Sequence, residues 1–339
     1  MLARPDRSGQ AGRTRARNPF VQDPRHAAAT LSPGLPVTAP SPLRVLSIGE
    51  AMVELSPVDE GGLWRLGFAG VTLNTAWYLR RLLPPDQPVG YLTRLGRTRF
   101  SDAMAAFIAQ AGLVTDRITR DPDREVGLYA IHLDGGERSF SYWRDNSAAR
   151  RLADDAGALA ASLSGADWLY LSGITLAILP PAGRDSLLAA LAAARTAGAQ
   201  VALDPNLRPR LWADAATMRA CVMRAAGLSD LVLPSLDDET AHFGDTGAEA
   251  TVERYLGAGA GSVVVKAGGG PIRFGGAGGS GLVDDLAPEV PVDTTAAGDS
   301  FNAGYLAARL RGEGVEDAIR AGHAVALRVI GARGALVAL

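Results

Sequence analysis

Cysteine, lysine and long apolar runs are scarce in this chain of 339 residues. The shortage of cysteine argues against a disulfide-bonded protein, and the shortage of apolar runs argues against a membrane-spanning one. Cys221 is the single cysteine, so no internal disulfide can form and we expect a reducing compartment, the cytoplasm. No apolar run reaches the roughly 18 residues that a membrane-spanning helix needs. No cluster of histidine and cysteine predicts a tight metal site, and the phosphate-binding pattern G-x-x-x-x-G-K-[ST] is absent. A net charge of −2 gives the whole chain no tendency to bind nucleic acid.

Residues 1 to 42 differ in character from the rest, with six arginines against two aspartates and frequent proline, serine and glycine. Because these residues interrupt every periodic stretch, we predict a disordered tail or an overextended start of the chain. An arginine-rich start is also typical of transit peptides, but the amphipathic pattern of a transit peptide is missing here. We therefore expect one domain from residue 43 to residue 339, and no role for the tail in catalysis.

Beyond the tail, short apolar strands alternate with segments of helical periodicity. The predicted strands are 43–49, 88–92, 168–172, 200–204, 230–233 and 262–266, and the predicted helices are 72–83, 100–111, 182–198, 214–226, 247–257 and 302–310. Repeated βα units predict an α/β fold, with a doubly wound, mostly parallel sheet covered by helices on both faces. Ligands of such sheets bind beyond the carboxyl ends of the strands, where this chain has Asn206, Ser235 and Lys266.

Two segments, 51–68 and 125–143, break this alternation. Both have the pattern of β-hairpins, and the run Asp134-Gly-Gly-Glu137 is a strong turn signal within the second. We therefore predict two hairpins that stand apart from the βα units.

The run Asp293-Thr-Thr-Ala-Ala-Gly-Asp-Ser-Phe301 is the most informative part of the sequence. Asp299 falls at the start of a predicted helix, where free backbone N–H groups and the helix dipole favour anions. The small residues Ala296, Ala297 and Gly298 would let a phosphate approach this backbone closely. A carboxylate inside an anion site is unfavourable, and a general base for an attacking hydroxyl would explain it. Helix capping by Asp299 is the simpler alternative, but it leaves the small residues unexplained.

This run resembles the D-T-x-G-A-G-D motif of the ribokinase-like, phosphofructokinase-B type sugar kinases. Its form D-T-T-A-A-G-D-S-F, together with Gly49-Glu-Ala-Met-Val-Glu54 near the first strand, is similar to the 2-keto-3-deoxygluconate kinase branch. The resemblance extends in order from residue 43 to about residue 335. It implies a ribokinase-like fold with a small β-sheet lid over the sugar, formed by the two hairpin segments. It also implies Asp299 as the catalytic base and an anion hole at Ala296, Ala297 and Gly298.

Ala296 occupies a position where most of that family has glycine. A position with positive φ strongly favours glycine, because a Cβ makes this backbone conformation unfavourable. We therefore expect ordinary backbone geometry at Ala296.

The resemblance further implies contacts with the substrate for Gly70, Asn74, Tyr129, Tyr142 and Arg144. An ordinary half-buried hairpin with cross-strand aromatic pairs explains the last three equally well. Val71 departs from the family, which has aspartate there, and so an expected acceptor for a substrate hydroxyl is missing.

Arg208 is the strongest indication of the class of substrate. It follows a predicted strand in the run Asp204-Pro-Asn-Leu-Arg208, and a planar guanidinium can hold a carboxylate by two parallel hydrogen bonds. A 2-keto sugar acid requires such a partner, whereas a neutral sugar does not. Pairing of Arg208 with Asp204 or Asp214 is the structural alternative.

For the nucleotide, the resemblance implies contacts with Asn206, Ser235, Lys266, Gly268, Thr294 and Gly298. Lys266 is the only lysine in the chain, and an ordinary surface lysine at a strand end is the alternative. Ser235 and Asp238 occupy the place of the family's N-x-x-E motif, so we expect Asp238 to take part in binding Mg²⁺ through water. A serine cap followed by acidic residues in the first helical turn would give the same pattern.

Taken together, these resemblances imply ATP- and Mg²⁺-dependent phosphorylation of 2-keto-3-deoxy-D-gluconate at its C6 hydroxyl, which gives 2-keto-3-deoxy-6-phosphogluconate. A kinase of another sugar, such as fructose or a deoxyketogalactonate, is the main alternative. A non-catalytic regulator that binds a sugar or a nucleotide is a further one. The expected partners are small molecules and, by resemblance, a second copy in a homodimer or larger homo-oligomer, with no nucleic acid or membrane.

Overall fold

The computed structural model describes residues 42–58, 62–134 and 137–339. The predicted tail, up to residue 41, and the predicted turn at Gly135 and Gly136 lie outside the described residues. None of the helices in the described part of the chain has the length and apolar character that crossing a membrane requires.

Strands of the described residues form two sheets. In chain order they are β1 (Leu43–Ile48), β2 (Met52–Val58), β3 (Leu63–Ala69), β4 (Val89–Leu95), β5 (Ile118–Arg120), β6 (Gly127–Asp134), β7 (Glu137–Trp143), β8 (Ala166–Ser172), β9 (Gln200–Asp204), β10 (Leu231–Val232), β11 (Ser262–Val265), β12 (Ile272–Gly276) and β13 (Gly281–Val283). The large sheet has the order β13-β12-β11-β10-β9-β8-β1-β4-β5. Its strands are parallel from β5 to β11, and the β12 and β13 pairings are antiparallel. The mostly parallel, doubly wound sheet is confirmed.

Helices cover both faces of the large sheet. They are α1 (Val71–Leu82), α2 (Arg99–Gln110), α3 (Ala156–Leu163), α4 (Gly173–Ile178), α5 (Pro181–Thr196), α6 (Ala215–Ala226), α7 (Leu236–Phe243), α8 (Ala248–Gly257), α9 (Ala297–Leu310) and α10 (Val315–Ile330), with short 3₁₀ turns at Ala148–Arg151 and Pro209–Leu211. Leu46 of β1 packs into one apolar cluster with residues of α3, α5 and α6. Val45, its neighbour on β1, packs into another with residues of α1, α2, α9 and α10. This alternation follows from the two-residue period of a strand.

α9 and α10 approach each other closely at a pair of glycines. A Cβ on Gly304 would lie only 2.8 Å from the Cα of Gly322, so a larger residue at Gly304 would force the two helices apart. The close contact fixes the helix that begins at the predicted anion hole.

The small sheet consists of β3, β2, β6 and β7 in that order. Both segments predicted as hairpins form antiparallel strand pairs, β2 with β3 and β6 with β7. A parallel pairing of β2 with β6 joins them. Apolar side chains stand exposed on this sheet, among them Leu63 at 67% and Trp143 at 61% of their surface.

Candidate functional site

The candidate site lies where β9, β10 and β11 end and α9 begins. Asp204 is the last residue of β9, Ser235 follows β10, and Lys266 directly follows β11. Backbone pairing extends beyond the strands, because Ser235 and Lys266 form an isolated parallel bridge. The topology therefore brings together the strand ends that the sequence singled out, as expected for a parallel sheet.

The backbone at Ala296 contradicts the expectation of ordinary geometry. Ala296 has φ of 60° and ψ of 17°, which is left-handed, and it caps the N-terminus of α9. The expectation was wrong because the chain must turn sharply into α9, and an alanine tolerates this conformation at about 1–2 kcal/mol. Asp293 stabilises the turn: Oδ1 accepts from the Thr295 N–H at 2.9 Å and Oδ2 from the Gly334 N–H at 2.7 Å.

Asp299 lies in the first turn of α9 and is only 6% exposed. The Asn74 side-chain amide on α1 donates to its Oδ2 at 2.8 Å. Burial raises the pKa of Asp299 to about 7, opposed by the Asn74 hydrogen bond and assisted by the negative charge of Asp204. Such a carboxyl is able to accept a proton near neutral pH. Asp299 does not cap α9, since that position belongs to Ala296.

Lys266 is buried, and the alternative of an ordinary surface lysine is wrong. Its side chain donates to Asn302 Oδ1 at 3.0 Å and lies 3.4 Å from Asp204 Oδ2. A Cβ built on Gly298 would lie 3.5 Å from Lys266 Nζ, so the ammonium group packs against the first turn of α9. A buried positive charge therefore stands beside the predicted anion hole.

Sequence reasoning missed Asn302 and Tyr170, both fully buried beside this lysine. Asn302 Nδ2 donates to Asp204 Oδ2 at 2.8 Å and to the Tyr170 hydroxyl at 3.0 Å. One signal was present, since Asn302 is a polar residue three positions after Asp299 in an apolar helix. Residues three apart lie on one side of a helix.

The predicted sugar-binding turn lies at the start of α1. Gly70 precedes the helix, and a Cβ there would collide with the carbonyl oxygen of Glu50. Asn74 turns its amide towards Asp299, as described above. Val71 is the first residue of α1, so the missing carboxylate would have stood at the mouth of this turn.

The predicted lid aromatics contact one another on the small sheet. Tyr129 and Tyr142 face each other across β6 and β7, with ring centroids 5.8 Å apart. The Tyr129 hydroxyl donates to the Glu54 carboxylate, and burial together with that carboxylate raises the pKa of Tyr129. The guanidinium of Arg210 lies 4.6 Å over the Tyr142 ring. This contact joins the small sheet to the loop after β9.

The two predicted substrate arginines differ in how firmly they are held. Arg144 forms an ion pair with Glu50 in which both side chains are less than a tenth exposed. Arg208 is 42% exposed and donates to Asp238 Oδ2 at 3.1 Å. The foreseen partners of Arg208 are engaged elsewhere. Asp204 binds Asn302, and Asp214 caps α6 by accepting from the Thr217 N–H at 2.7 Å. Of these two arginines, Arg208 is therefore the one whose guanidinium a ligand can reach.

The remaining predicted nucleotide contacts surround the same edge of the sheet. Asn206 has φ of 38°, and its buried Oδ1 accepts no hydrogen bond from the described residues. Ser235 caps α7 by position, although its side chain makes no capping hydrogen bond. Gly268 has φ of 57° in the turn after Lys266, and Thr294 is exposed before Ala296.

A metal ion at this site would have few protein ligands among the described residues. The described residues contain no group of three or more histidine, cysteine or acidic side chains that could hold a metal ion. Asp238 and the unpartnered Asn206 Oδ1 offer oxygen atoms, the type of ligand that Mg²⁺ prefers. Since Mg²⁺ keeps several waters and binds phosphate oxygens as well, this sparse donor set fits a hydrated ion.

Comparison with known proteins identifies the family. Residues 43–339 match the model of the pfkB family carbohydrate kinases. A 2-dehydro-3-deoxygluconokinase of Dickeya dadantii is 42% identical over 300 residues, which cover 86% of this chain and 96% of the relative. A PfkB protein from Polaromonas sp. JS666 matches in structure with a TM-score of 0.75 and 30% identity, over 85% of this chain and 96% of its own. A fructokinase with bound ATP from Xylella fastidiosa gives a TM-score of 0.73 and 25% identity, over 86% and 93%. The fold, the buried acid at the start of α9 and these matches agree, and the chain belongs to the pfkB family of carbohydrate kinases.

Proposed function

We propose that this kinase transfers the γ-phosphoryl group of ATP to the C6 hydroxyl of 2-keto-3-deoxy-D-gluconate. The high identity with a 2-dehydro-3-deoxygluconokinase along almost the whole of that relative supports the substrate. The bound ATP of the similar fructokinase supports the nucleotide. The observation that carries the chemistry is Asp299, a buried carboxyl with a pKa of about 7 in the first turn of a helix.

In the proposed reaction Asp299 accepts the proton of the C6 hydroxyl as its oxygen attacks the γ-phosphorus. The hydrogen bond from Asn74 fixes the orientation of the carboxylate. Backbone N–H groups at Ala296, Ala297 and Gly298 donate to the transferred phosphoryl oxygens, and the helix dipole adds to this stabilisation. Phosphoryl transfer depends mainly on such positioning and charge stabilisation.

The left-handed backbone at Ala296 serves this arrangement. It turns the chain sharply into α9, and a left-handed residue before a helix is a feature of turns whose N–H groups bind anions. The Ala297 N–H, which donates to the Thr294 carbonyl oxygen at 3.2 Å, would exchange that partner for the phosphoryl oxygen. Lys266 contributes a positive charge behind the turn, beside Gly298. Asn206, Ser235, Gly268 and Thr294 are proposed to border the nucleotide.

Mg²⁺, when bound, neutralises phosphate charge. We assign its protein contacts to Asp238 and Asn206, in part through water, because both present oxygen atoms at the strand ends. Asp238 is paired with Arg208, so its carboxylate would become available when Arg208 turns to the substrate.

The carboxylate of the sugar acid is proposed to bind Arg208. This guanidinium is exposed enough to be reached. It donates to the Leu207 carbonyl oxygen at 2.6 Å and to Asp238 in a partly exposed ion pair of modest strength. Gly70, Tyr129, Tyr142 and Arg144 would line the rest of the sugar site. Arg144 acts there from within its ion pair with Glu50.

The small sheet is proposed to act as a lid that excludes water during transfer, since water would otherwise accept the phosphoryl group. Its exposed apolar residues, including Leu63 and Trp143, support a homodimer in which two small sheets cover each other. Because the reaction consumes ATP, we propose a cytoplasmic location.

A kinase for another sugar, such as fructose or a deoxyketogalactonate, is the second candidate. Val71 leaves the start of α1 without a carboxylate that would accept a hydroxyl, so this part of the site discriminates less sharply between sugars. The alternative of a non-catalytic regulator has no comparable support.

A coupled ATP assay over a panel of sugar acids and neutral sugars tests the proposal. We expect 2-keto-3-deoxy-D-gluconate to give the highest kcat/KM. The variant Arg208→Leu should raise its KM about 10-fold to 100-fold, because an interaction of roughly 1.5–3 kcal/mol with the carboxylate is lost. For any neutral sugar that the enzyme also phosphorylates, Arg208→Leu should change the KM much less. A preference for fructose that survives Arg208→Leu would contradict the sugar-acid assignment.

A further inference from the structure

Asn302 joins the charged groups beneath the anion hole. It lies on α9 one turn after Asp299 and is completely buried. Its Oδ1 accepts from Lys266 at 3.0 Å, while its Nδ2 donates to Asp204 at 2.8 Å and to the Tyr170 hydroxyl at 3.0 Å. Both ends of the amide are therefore used, one for a cation and the other for an anion.

Among side chains of this size, an amide is suited to both tasks at once. A carboxylate accepts from the ammonium group but has no hydrogen to donate to Asp204, and leucine does neither. Buried charges that lose a hydrogen-bonding partner are strongly destabilised, so their side chains would rearrange to find another. Lys266 and Asp204, now 3.4 Å apart, have each other as the nearest remaining partner.

Rearrangement of this pair would alter the surroundings of the base. Asp299 interacts electrostatically with titratable groups on several elements: Tyr78 on α1, Tyr129 on β6, Tyr170 on β8, Asp204 and Arg208 at and after the end of β9, and Lys266 after β11. Asp204 raises the pKa of Asp299, whereas Lys266 and Arg208 lower it. Asn302 contacts two of these three charged groups directly, and these two have opposite effects.

We propose that Asn302 is a positioning residue for phosphoryl transfer: its amide holds the Lys266 ammonium group against the first turn of α9 and fixes the Asp204 carboxylate beside that ammonium group. The inference rests on the proposed role of Asp299 as the base. Asn302 does not touch the reacting atoms, so it acts through Lys266 and Asp204. Its loss should impair kcat more than the binding of either substrate.

The test compares wild type, Asn302→Asp, Asn302→Leu and Asp299→Asn with 2-keto-3-deoxy-D-gluconate and ATP. Asn302→Asp keeps the shape of the side chain, adds a negative charge and removes the donor to Asp204. We expect kcat to fall about 10-fold or more, with both KM values within about threefold of wild type. The acid limb of the kcat/KM profile should move upward by about one pH unit, because a like charge raises the pKa of a carboxyl. Asn302→Leu should lower kcat at least as much.

Tyr305→Phe is the matched control. Tyr305 is buried on the same helix, one turn beyond Asn302, and its ring stacks on Phe301 rather than joining the Lys266 group. Its kcat and pH profile should equal those of wild type. Thermal unfolding of each variant shows whether it folds. If Asn302→Leu does not fold, the kinetics of Asn302→Asp alone test the positioning role of Asn302.

The outcomes separate the inference from the function on which it rests. An Asp299→Asn variant as active as wild type removes the base assignment itself. If Asp299→Asn is inactive while both Asn302 variants keep the wild-type kcat and acid limb, the positioning role is wrong. A fall in kcat that merely follows lost thermal stability, with an unmoved acid limb, also overturns it, because a purely structural role predicts that pattern.

Discussion

Asp299 illustrates at the scale of one residue how burial raises the pKa of a carboxyl. Its carboxyl lies in an almost water-free position, where the charged form is disfavoured, and one hydrogen bond from Asn74 offsets only part of this effect.

The sequence singled out Asp299 and Lys266 because their positions in a motif and at a strand end are local features. The pairing of Arg208 with Asp238 could not be predicted, since it depends on how two separate strand ends come together.

The pH dependence of the reaction follows from the pKa of about 7. Asp299 must be unprotonated to act as a base, so kcat/KM for the sugar should fall as the pH drops below about 7. The limiting slope should be roughly tenfold per pH unit, as for loss of one proton-accepting group. Initial rates at saturating ATP between pH 5 and 9 give this profile, and a rate independent of pH down to 5 would exclude this base.

Stability should show the opposite pH dependence. Since the folded state raises the pKa of Asp299, its contribution to stability is fully present below the unfolded pKa near 4 and is lost as pH rises through about 7. Asp299→Asn removes this ionisation. The gain in the free energy of unfolding over wild type should therefore be larger at pH 8 than at pH 5, by roughly 2 kcal/mol. Denaturant unfolding at both pH values measures it, and equal gains at the two would contradict the raised pKa.

At the scale of elements, the N-terminus of α9 combines a strained residue with the hydrogen bonds that hold it. The periodic pattern predicted α1, α2, α5, α6, α8 and α9 and the buried strands of the large sheet, because the helices have a consistent apolar face and the strands are continuous apolar runs. It missed β12 and β13, where glycines weaken the pattern, the short β5, α3, α4 and α7, and the long α10. The left-handed backbone at Ala296 was missed for another reason. The Cβ of an alanine disfavours this conformation, but the hydrogen bond from the Gly334 N–H to Asp293 stabilises the turn that requires it.

Replacement by glycine distinguishes the two alanines at this helix start. Ala296→Gly relieves the left-handed strain and should leave stability unchanged or raise it by up to about 1 kcal/mol. Ala297→Gly, in the first helical position, should lower stability by roughly 0.5–1 kcal/mol. Denaturant unfolding of both variants provides the comparison. Equal destabilisation by the two substitutions would show that Ala296 is not strained.

At the scale of the whole molecule, the large sheet supplies the strand ends and α9, and the small sheet stands next to them. The contact of Arg210 with Tyr142 links the two across the proposed sugar site. The α/β class, the parallel sheet and the two hairpins could be predicted, since repeating units determine them. The order of the strands required the resemblance or the structure, because pairing partners are distant in the sequence.

Removal of residues 1–42 tests the proposed extent of the catalytic domain. The site residues described above and their hydrogen-bonding partners all lie between Glu50 and Gly334. The shortened chain should therefore retain the kcat and KM values of the full chain within about twofold, a change of less than about 0.5 kcal/mol in activation free energy. Steady-state rates of the two purified proteins decide this. A large loss of turnover in a shortened chain with unchanged thermal stability would assign the tail a catalytic role.

The most direct measurement of the central claim is the turnover of Asp299→Asn with ATP and 2-keto-3-deoxy-D-gluconate. Asparagine has nearly the same shape but cannot act as the base. The account predicts a folded protein that still binds both substrates, with kcat lower by roughly 10²–10⁴. A variant that turns over at the wild-type rate would contradict it.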